Sequence, residues 1–291
     1  MVDLELSWQA ATVTAGCLGG AAVACRRARQ PRLRSAAGFA QEAAVLLGLF
    51  ALWQLAGSYA VMGPDGALAR AQWIWHTERV LHMPSESGVQ HVFLSHPLIV
   101  QALNLYYAGL HFAVVIGCLI WVFIRHRRNY PQVRTTLVLF TAGALLIQLV
   151  PVAPPRMLPG DGMIDTAALY GQSVYGSVAG FNADQLSAMP SVHVGWALLV
   201  ALVVIQVSSS RWRWLVLGYP ALTLLAVVVT ANHFWLDGVV AALLLALALV
   251  VQRAGRIIRH WLRTRRRAGA ARRLASSPGG PPSPRVPAAR P

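Results

Sequence analysis

Seven stretches of this chain are apolar over about the length a helix needs to cross the hydrocarbon core of a bilayer: near 7–25, 36–60, 97–124, 134–151, 190–208, 213–231 and 235–252. Lipid offers no partner to backbone N–H and C=O groups, so runs of this kind satisfy them internally, as helices. The expectation is an all-α, polytopic membrane helix bundle with seven spans. Composition agrees, since 56% of the 291 residues are hydrophobic and 12% are charged. The first stretch follows Asp3 and Glu5 rather than a basic segment and shows no small-residue cleavage site, so it is expected to remain as a helix and not to be removed as a signal. Cys17, Cys25 and Cys118 lie in or beside these stretches without metal or redox spacing and read as packing residues.

The 25 basic residues are all arginines, and their placement orients the bundle. Five follow the first span (Arg26, Arg27, Arg29, Arg32, Arg34), four the third (Arg125, Arg127, Arg128, Arg134), two the fifth (Arg211, Arg213), and eleven lie beyond the seventh. Arg70, Arg79 and Arg156 fall on the opposite side. The positive-inside rule then puts the N-terminus and the loops "HTERVLHMP" and "APPRML" outside and the tail in the cytoplasm, for a multi-pass protein of the plasma membrane. These arginines flank spans and lack interleaved aromatics, so the expected partners are membrane lipids and not nucleic acid. A homo-oligomer is compatible with the sequence.

Three regions are expected. Residues 1–35 form an extra N-terminal transmembrane helix and a basic cytoplasmic loop, 36–252 a six-helix core, and 253–291 a basic helical extension that ends in the Pro-rich disordered tail "SSPGGPPSPRVPAARP". Between spans two and three, "ALARAQWIWHTERVLHMPSESGVQ" mixes Trp73, Trp75 and Val80 with Arg70, Glu78 and Arg79, which suits a helix lying in the headgroup layer over the bundle. His76, His82, His91 and His96, in or near it, make no recognised metal-ligand set. The longest non-membrane stretch inside the core, 152–188, has the length of a functional loop.

Three polar constellations stand at span ends, and the topology puts all three on the outer face: "APPRML" with Arg156, "MPSVH" with Ser191 and His193, and "ANHFWLD" with Asn232, His233 and Asp237. If the last helix begins near Asn232, His233 and Asp237 share a face, and the carboxylate can hold the imidazole in one tautomer. Pro190 is expected in the first turn of the fifth span. Two histidines, a carboxylate and an arginine make a phosphoryl-transfer set that needs no metal or other cofactor. In span three, Asn104, Tyr107 and His111 align on one stripe that either bonds neighbouring helices or walls a headgroup pocket.

The order Arg, Pro-Ser-x-His, His-x3-Asp resembles the type 2 phosphatidic acid phosphatase superfamily of membrane lipid phosphatases and phosphotransferases. The strings "GFNADQLSAMPSVHVGW" and "ANHFWLD" resemble its inositol phosphorylceramide synthase-like branch. The resemblance covers about residues 36–252. It implies a lipid phosphate, lipid diphosphate or phosphoinositol-type substrate and a phosphohistidine on His233 oriented by Asp237. It also implies His193 as leaving-group acid, and Arg156 and Ser191 on the phosphoryl oxygens. The family pattern has a lysine where this chain has Leu149 and an arginine where it has Val227; Gln148, Asn182, Gln185 and Asn232 are neutral groups that could compensate, which fits a transferase at least as well as a phosphatase. A transporter without chemistry and a metal-dependent hydrolase built on His193, His233 and Asp237 are the competing readings.

Overall fold

A computed structural model describes residues 8–28, 30–58, 65–172 and 185–275. It is all-helical among these residues: α1 (Trp8–Arg27), α2 (Pro31–Ser58), α3 (Asp65–Val80), α4 (Glu86–Leu94), α5 (Pro97–Leu105), α6 (His111–Arg125), α7 (Tyr130–Gln148), α8 (Thr166–Leu169), α9 (Val192–Val207), α10 (Gly218–Val229) and α11 (Trp235–Ala275). A π-turn, Tyr106–Leu110, joins α5 to α6, and 3-10 turns cover Pro155–Met157 and Arg211–Leu217. Among the described residues, three continuous helical segments are long and apolar enough to cross a membrane: Pro97–Arg125, Arg211–Val229 and Trp235–Arg265. Ala36–Leu52 and Val192–Val207 are apolar but shorter.

The chain divides into two compact units, residues 1–248 and 249–291. In the second, the described residues are helical and mostly exposed, with the Arg265 guanidinium 3.8 Å from the centre of the Trp261 ring. In the first, α1 packs along α2, and α2 is tied to α7 through Glu42, which accepts bonds from Arg134 (2.6 Å) and Tyr130 (3.0 Å). The main apolar cluster joins α6, α7, α9 and α11 through Val122, Leu137, Phe140, Leu199, Val203 and Leu245. Large apolar side chains such as Ile116, Ile124, Leu146, Leu243 and Leu247 point outward, the reverse of a protein built for water.

Helix α3 does more than cover the bundle. Ala67, Ala71, Ile74 and Glu78 recur at helical spacing and are all buried, while Trp73 and Val80 stay exposed. The headgroup-layer helix expected from the sequence is therefore two helices, α3 and α4, with His82 in the left-handed region (φ 55°) at the break between them. His76, His82, His91 and His96 are all exposed.

Gly195 sets the distance between α7 and α9. A Cβ there would lie 1.9 Å from Phe140 Cζ, and Phe140 is fully buried. Gly195→Ala is expected to cost about 2–3 kcal/mol through overpacking, read as a lowered melting temperature in detergent, whereas Gly117→Ala, with open space at its Cβ, leaves the melt nearly unchanged.

Candidate active site

The three polar motifs meet under α3, whose buried stripe packs on Val152, Ala153 and Leu158, on Ala188, and on Phe234. Backbone bonds stitch the segments together. Val152 N donates to Leu186 O (2.6 Å), Ala188 N to Val152 O (3.1 Å), Arg156 N to Ala231 O (3.2 Å) and Ser191 N to Asp237 O (3.2 Å).

His233 sits on a built turn. Helix α10 ends in a Schellman motif in which Asn232 N donates to Val227 O (3.0 Å) and Ala231 N to Val228 O (2.9 Å). Its left-handed position is filled by Ala231 (φ 54°), where glycine is the usual choice, at a cost of about 1–2 kcal/mol. Such strain collects where a site needs a particular turn. The amides of Asn232 and His233 both turn back to Val227 O, so these residues still close α10, and α11 starts at Trp235 rather than near Asn232 as expected. His233 thus precedes the helix, and Asp237, in its first turn, reaches back to it. Asp237 Oδ2 accepts from Phe234 N (2.8 Å) and lies 3.3 Å from His233 Nδ1.

The tautomer follows from a third atom. His233 Nδ1 is 2.6 Å from the carbonyl oxygen of Ala188, which can only accept. Nδ1 therefore bears a proton, shared between Ala188 O and Asp237, and in the neutral imidazole Nε2 carries the lone pair.

His193 occupies the first turn of α9, its ring centre 6.0 Å from that of His233. Tyr107 stacks on it at 4.2 Å and Phe112 meets it edge-on at 5.3 Å. Its Nε2 is buried and has no hydrogen-bond partner among the described residues. Pro190 lies outside the helix, because Ser191 takes the cap position and its hydroxyl accepts from Val194 N (3.4 Å). A hydroxyl that accepts there still has a proton to donate. The Arg156 side chain is 3% exposed; its guanidinium bonds Asn232 Oδ1 and stands 3.5 Å from the Asp165 carboxylate. Asn232 is itself held by Thr230 Oγ1 (2.8 Å).

The span-three stripe divides. The π-turn puts Tyr107 against His193, while His111 lies behind them, its ring centre 5.0 Å from that of His193 and its Nδ1 2.9 Å from the Tyr219 hydroxyl. Asn104 is spent on the loop after α7, donating to Thr166 O (3.2 Å) and Gln172 Oε1 (3.0 Å). Gln90, absent from the sequence reading, holds the same loop by bonds to Ile164 N and O and to Val229 O. Gln148 is buried at the end of α7 and Gln185 is exposed; Asn182 lies outside the described residues. At the two positions where the family pattern has cations, Leu149 caps α7 and Val227 packs with Val194 and Val228. No three His, Cys, Asp or Glu side chains converge as a metal site among the described residues.

A sequence model of the PAP2 superfamily matches residues 72–251, a span that holds α4 to α10 and every motif residue described above. No curated protein and no solved structure matches the chain. With the match covering more than half of the chain, and Arg156, Ser191, His193, His233 and Asp237 gathered under α3, the protein belongs to the PAP2 superfamily, a group of phosphatase-type proteins, here on a framework of apolar, membrane-type helices.

Proposed function

We propose that this protein is a membrane phosphatase or phosphotransferase that acts on a lipid phosphate or diphosphate at the outer face, through a phosphohistidine on His233 and without metal. The observation that carries this is the Ala188 carbonyl 2.6 Å from His233 Nδ1, which leaves Nε2 as a nucleophile near a second imidazole whose Nε2 has no partner among the described residues. In the first half-reaction Nε2 attacks phosphorus and the bond from phosphorus to the leaving oxygen breaks. His193, which takes up a proton when the anionic substrate binds beside it, delivers that proton to the leaving oxygen. Arg156 and Ser191 take the phosphoryl oxygens, whose charge they offset in the transition state. In the second half, water or an alcohol attacks the phosphorus and gives its proton to His193, and the P–N bond breaks to free His233. An alcohol acceptor makes the same site a transferase of the inositol phosphorylceramide synthase-like kind. In this reading six spans form the core, the helix near 7–25 is an additional one, and the arginine-rich ends face the cytoplasm.

The test is to offer purified protein phosphatidic acid, a polyprenyl diphosphate and phosphatidylinositol, each with and without alcohol acceptors, and to identify products by mass spectrometry. Phosphate release or headgroup transfer that survives exhaustive chelation is expected. Turnover that stops on chelation and returns with a divalent ion would replace this reading with the metal-dependent one.

A further inference from the structure

The buried stripe of α3 ends on a carboxyl group. Glu78 is fully buried, one turn beyond Ile74, and its Oε1 accepts from Leu236 N at 2.7 Å. That amide belongs to the first turn of α11, where backbone N–H groups have no partner inside the helix. Asp237 covers Phe234 N from within α11 and Glu78 covers Leu236 N from another helix, so two carboxyl groups hold the turn between His233 and Asp237.

Glu86, at the start of α4 and also buried, faces Glu78. Its Oε2 receives Arg79 at 2.9 Å, and Arg79 also donates to Pro84 O (3.0 Å), which in turn accepts from Trp235 Nε1 (2.9 Å). The remaining oxygens, Glu78 Oε2 and Glu86 Oε1, are buried with no donor among the described residues. Two ionised carboxylates offer only acceptors, and buried carboxylate oxygens without a donor are too costly to leave both groups charged, so one of the two holds a proton. Arg79 neutralises Glu86, so the proton belongs on Glu78.

We infer that Glu78, protonated and donating to Glu86, is a positioning residue for the His233–Asp237 pair, holding the first turn of α11 without adding a second negative charge beside Asp237. This rests on the phosphohistidine reading above. The groups that face the pair are Arg79, Asp237 and, on the Glu86 side, Asp161. Burial first, then Glu86, pushes the Glu78 carboxyl from 4.5 up to about 9. A raised folded-state value means that the stabilisation is whole below about 4.5 and is lost as pH rises through about 9.

The experiment compares Glu78→Gln with Glu78→Ala. Glutamine reproduces the neutral acid, with an oxygen for Leu236 N and a donor for Glu86. It is expected to keep kcat within about threefold of the unaltered protein and to move the alkaline limb of the pH profile upward. Alanine is expected to lower kcat by about tenfold or more while KM changes by less than about threefold, the split of a residue that orders the reacting groups. Thermal melts add a second readout: the unaltered protein loses stability progressively between about pH 5 and 9, and the glutamine variant loses less over the same range. Full kcat in Glu78→Ala, or a glutamine variant whose kcat, alkaline limb and melts match those of alanine, overturns the inference. If Glu78→Ala does not fold, the pH profile and melts of Glu78→Gln decide alone. A failure of the underlying reading is separable, because His233→Asn would then remain active whatever Glu78 does.

Discussion

His233→Asn is expected to abolish turnover of lipid phosphate, with a loss of about 10³-fold or more. Asparagine is chosen because its amide nitrogen falls close to the place of Nδ1. The bond to Ala188 O is kept, and with it the link between the turn after α10 and the segment leading into α9. What disappears is Nε2. The variant should melt close to the unaltered protein, because only the weaker 3.3 Å approach to Asp237 is altered. It should also form no acid-labile phosphoenzyme when incubated with radiolabelled substrate. A fully active His233→Asn would remove the covalent step.

His193→Ala should produce a loss that depends on the leaving group. For an alkyl phosphate, whose departing oxygen needs a proton, the expected drop is about 10²–10⁴-fold. For an aryl phosphate, whose departing oxygen is stable as an anion, the first half-reaction should be nearly unaffected. The second half still lacks its base, so phosphohistidine should accumulate and become easy to trap. Equal losses in the first half-reaction on both substrates would assign His193 to structure. The stacking partner Tyr107 and the edge of Phe112 bound the cavity that alanine would leave, and a melting curve separates that packing loss from the chemical one.

Much of this site could be read along the chain, for local reasons. Hydropathy over a window of about twenty residues is a property of the window, so helices stand at each of the seven apolar stretches. Motif spacing worked in the same way: His233 and Asp237 meet as their separation of four suggested. The route differs, since Asp237 reaches back from the helix to a residue before it. That difference comes from the Schellman turn, where both the Asn232 and His233 amides converge on Val227 O, and nothing in "ANHFWLD" announces it. Pro190 was misplaced for a similar reason, because Ser191 is the stronger cap. Asn104, Tyr107 and His111 stand on one stripe in the sequence, but that Tyr107 stacks on His193 depends on the π-turn at Tyr106–Leu110.

Along the chain Glu78 reads as one more polar residue of the headgroup-layer helix, and Gln90 as the polar end of the same stretch. The available signal was that Glu78 continues the series Ala67, Ala71, Ile74 at helical spacing, placing a carboxyl on the apolar face.

The sequence by itself determined the class of molecule and its chemical inventory: a helical chain suited to a bilayer, with an arginine, a serine, two histidines and an aspartate at span ends. Those follow from composition and short-range spacing, which the chain carries in one dimension. Tertiary structure alone decided which nitrogen of His233 bears the proton, because that depends on a carbonyl 45 residues away. It also decided that Glu78 must hold a proton, because that requires Glu86, Arg79 and the first turn of α11 to converge in a buried place where an unpaired charge is costly.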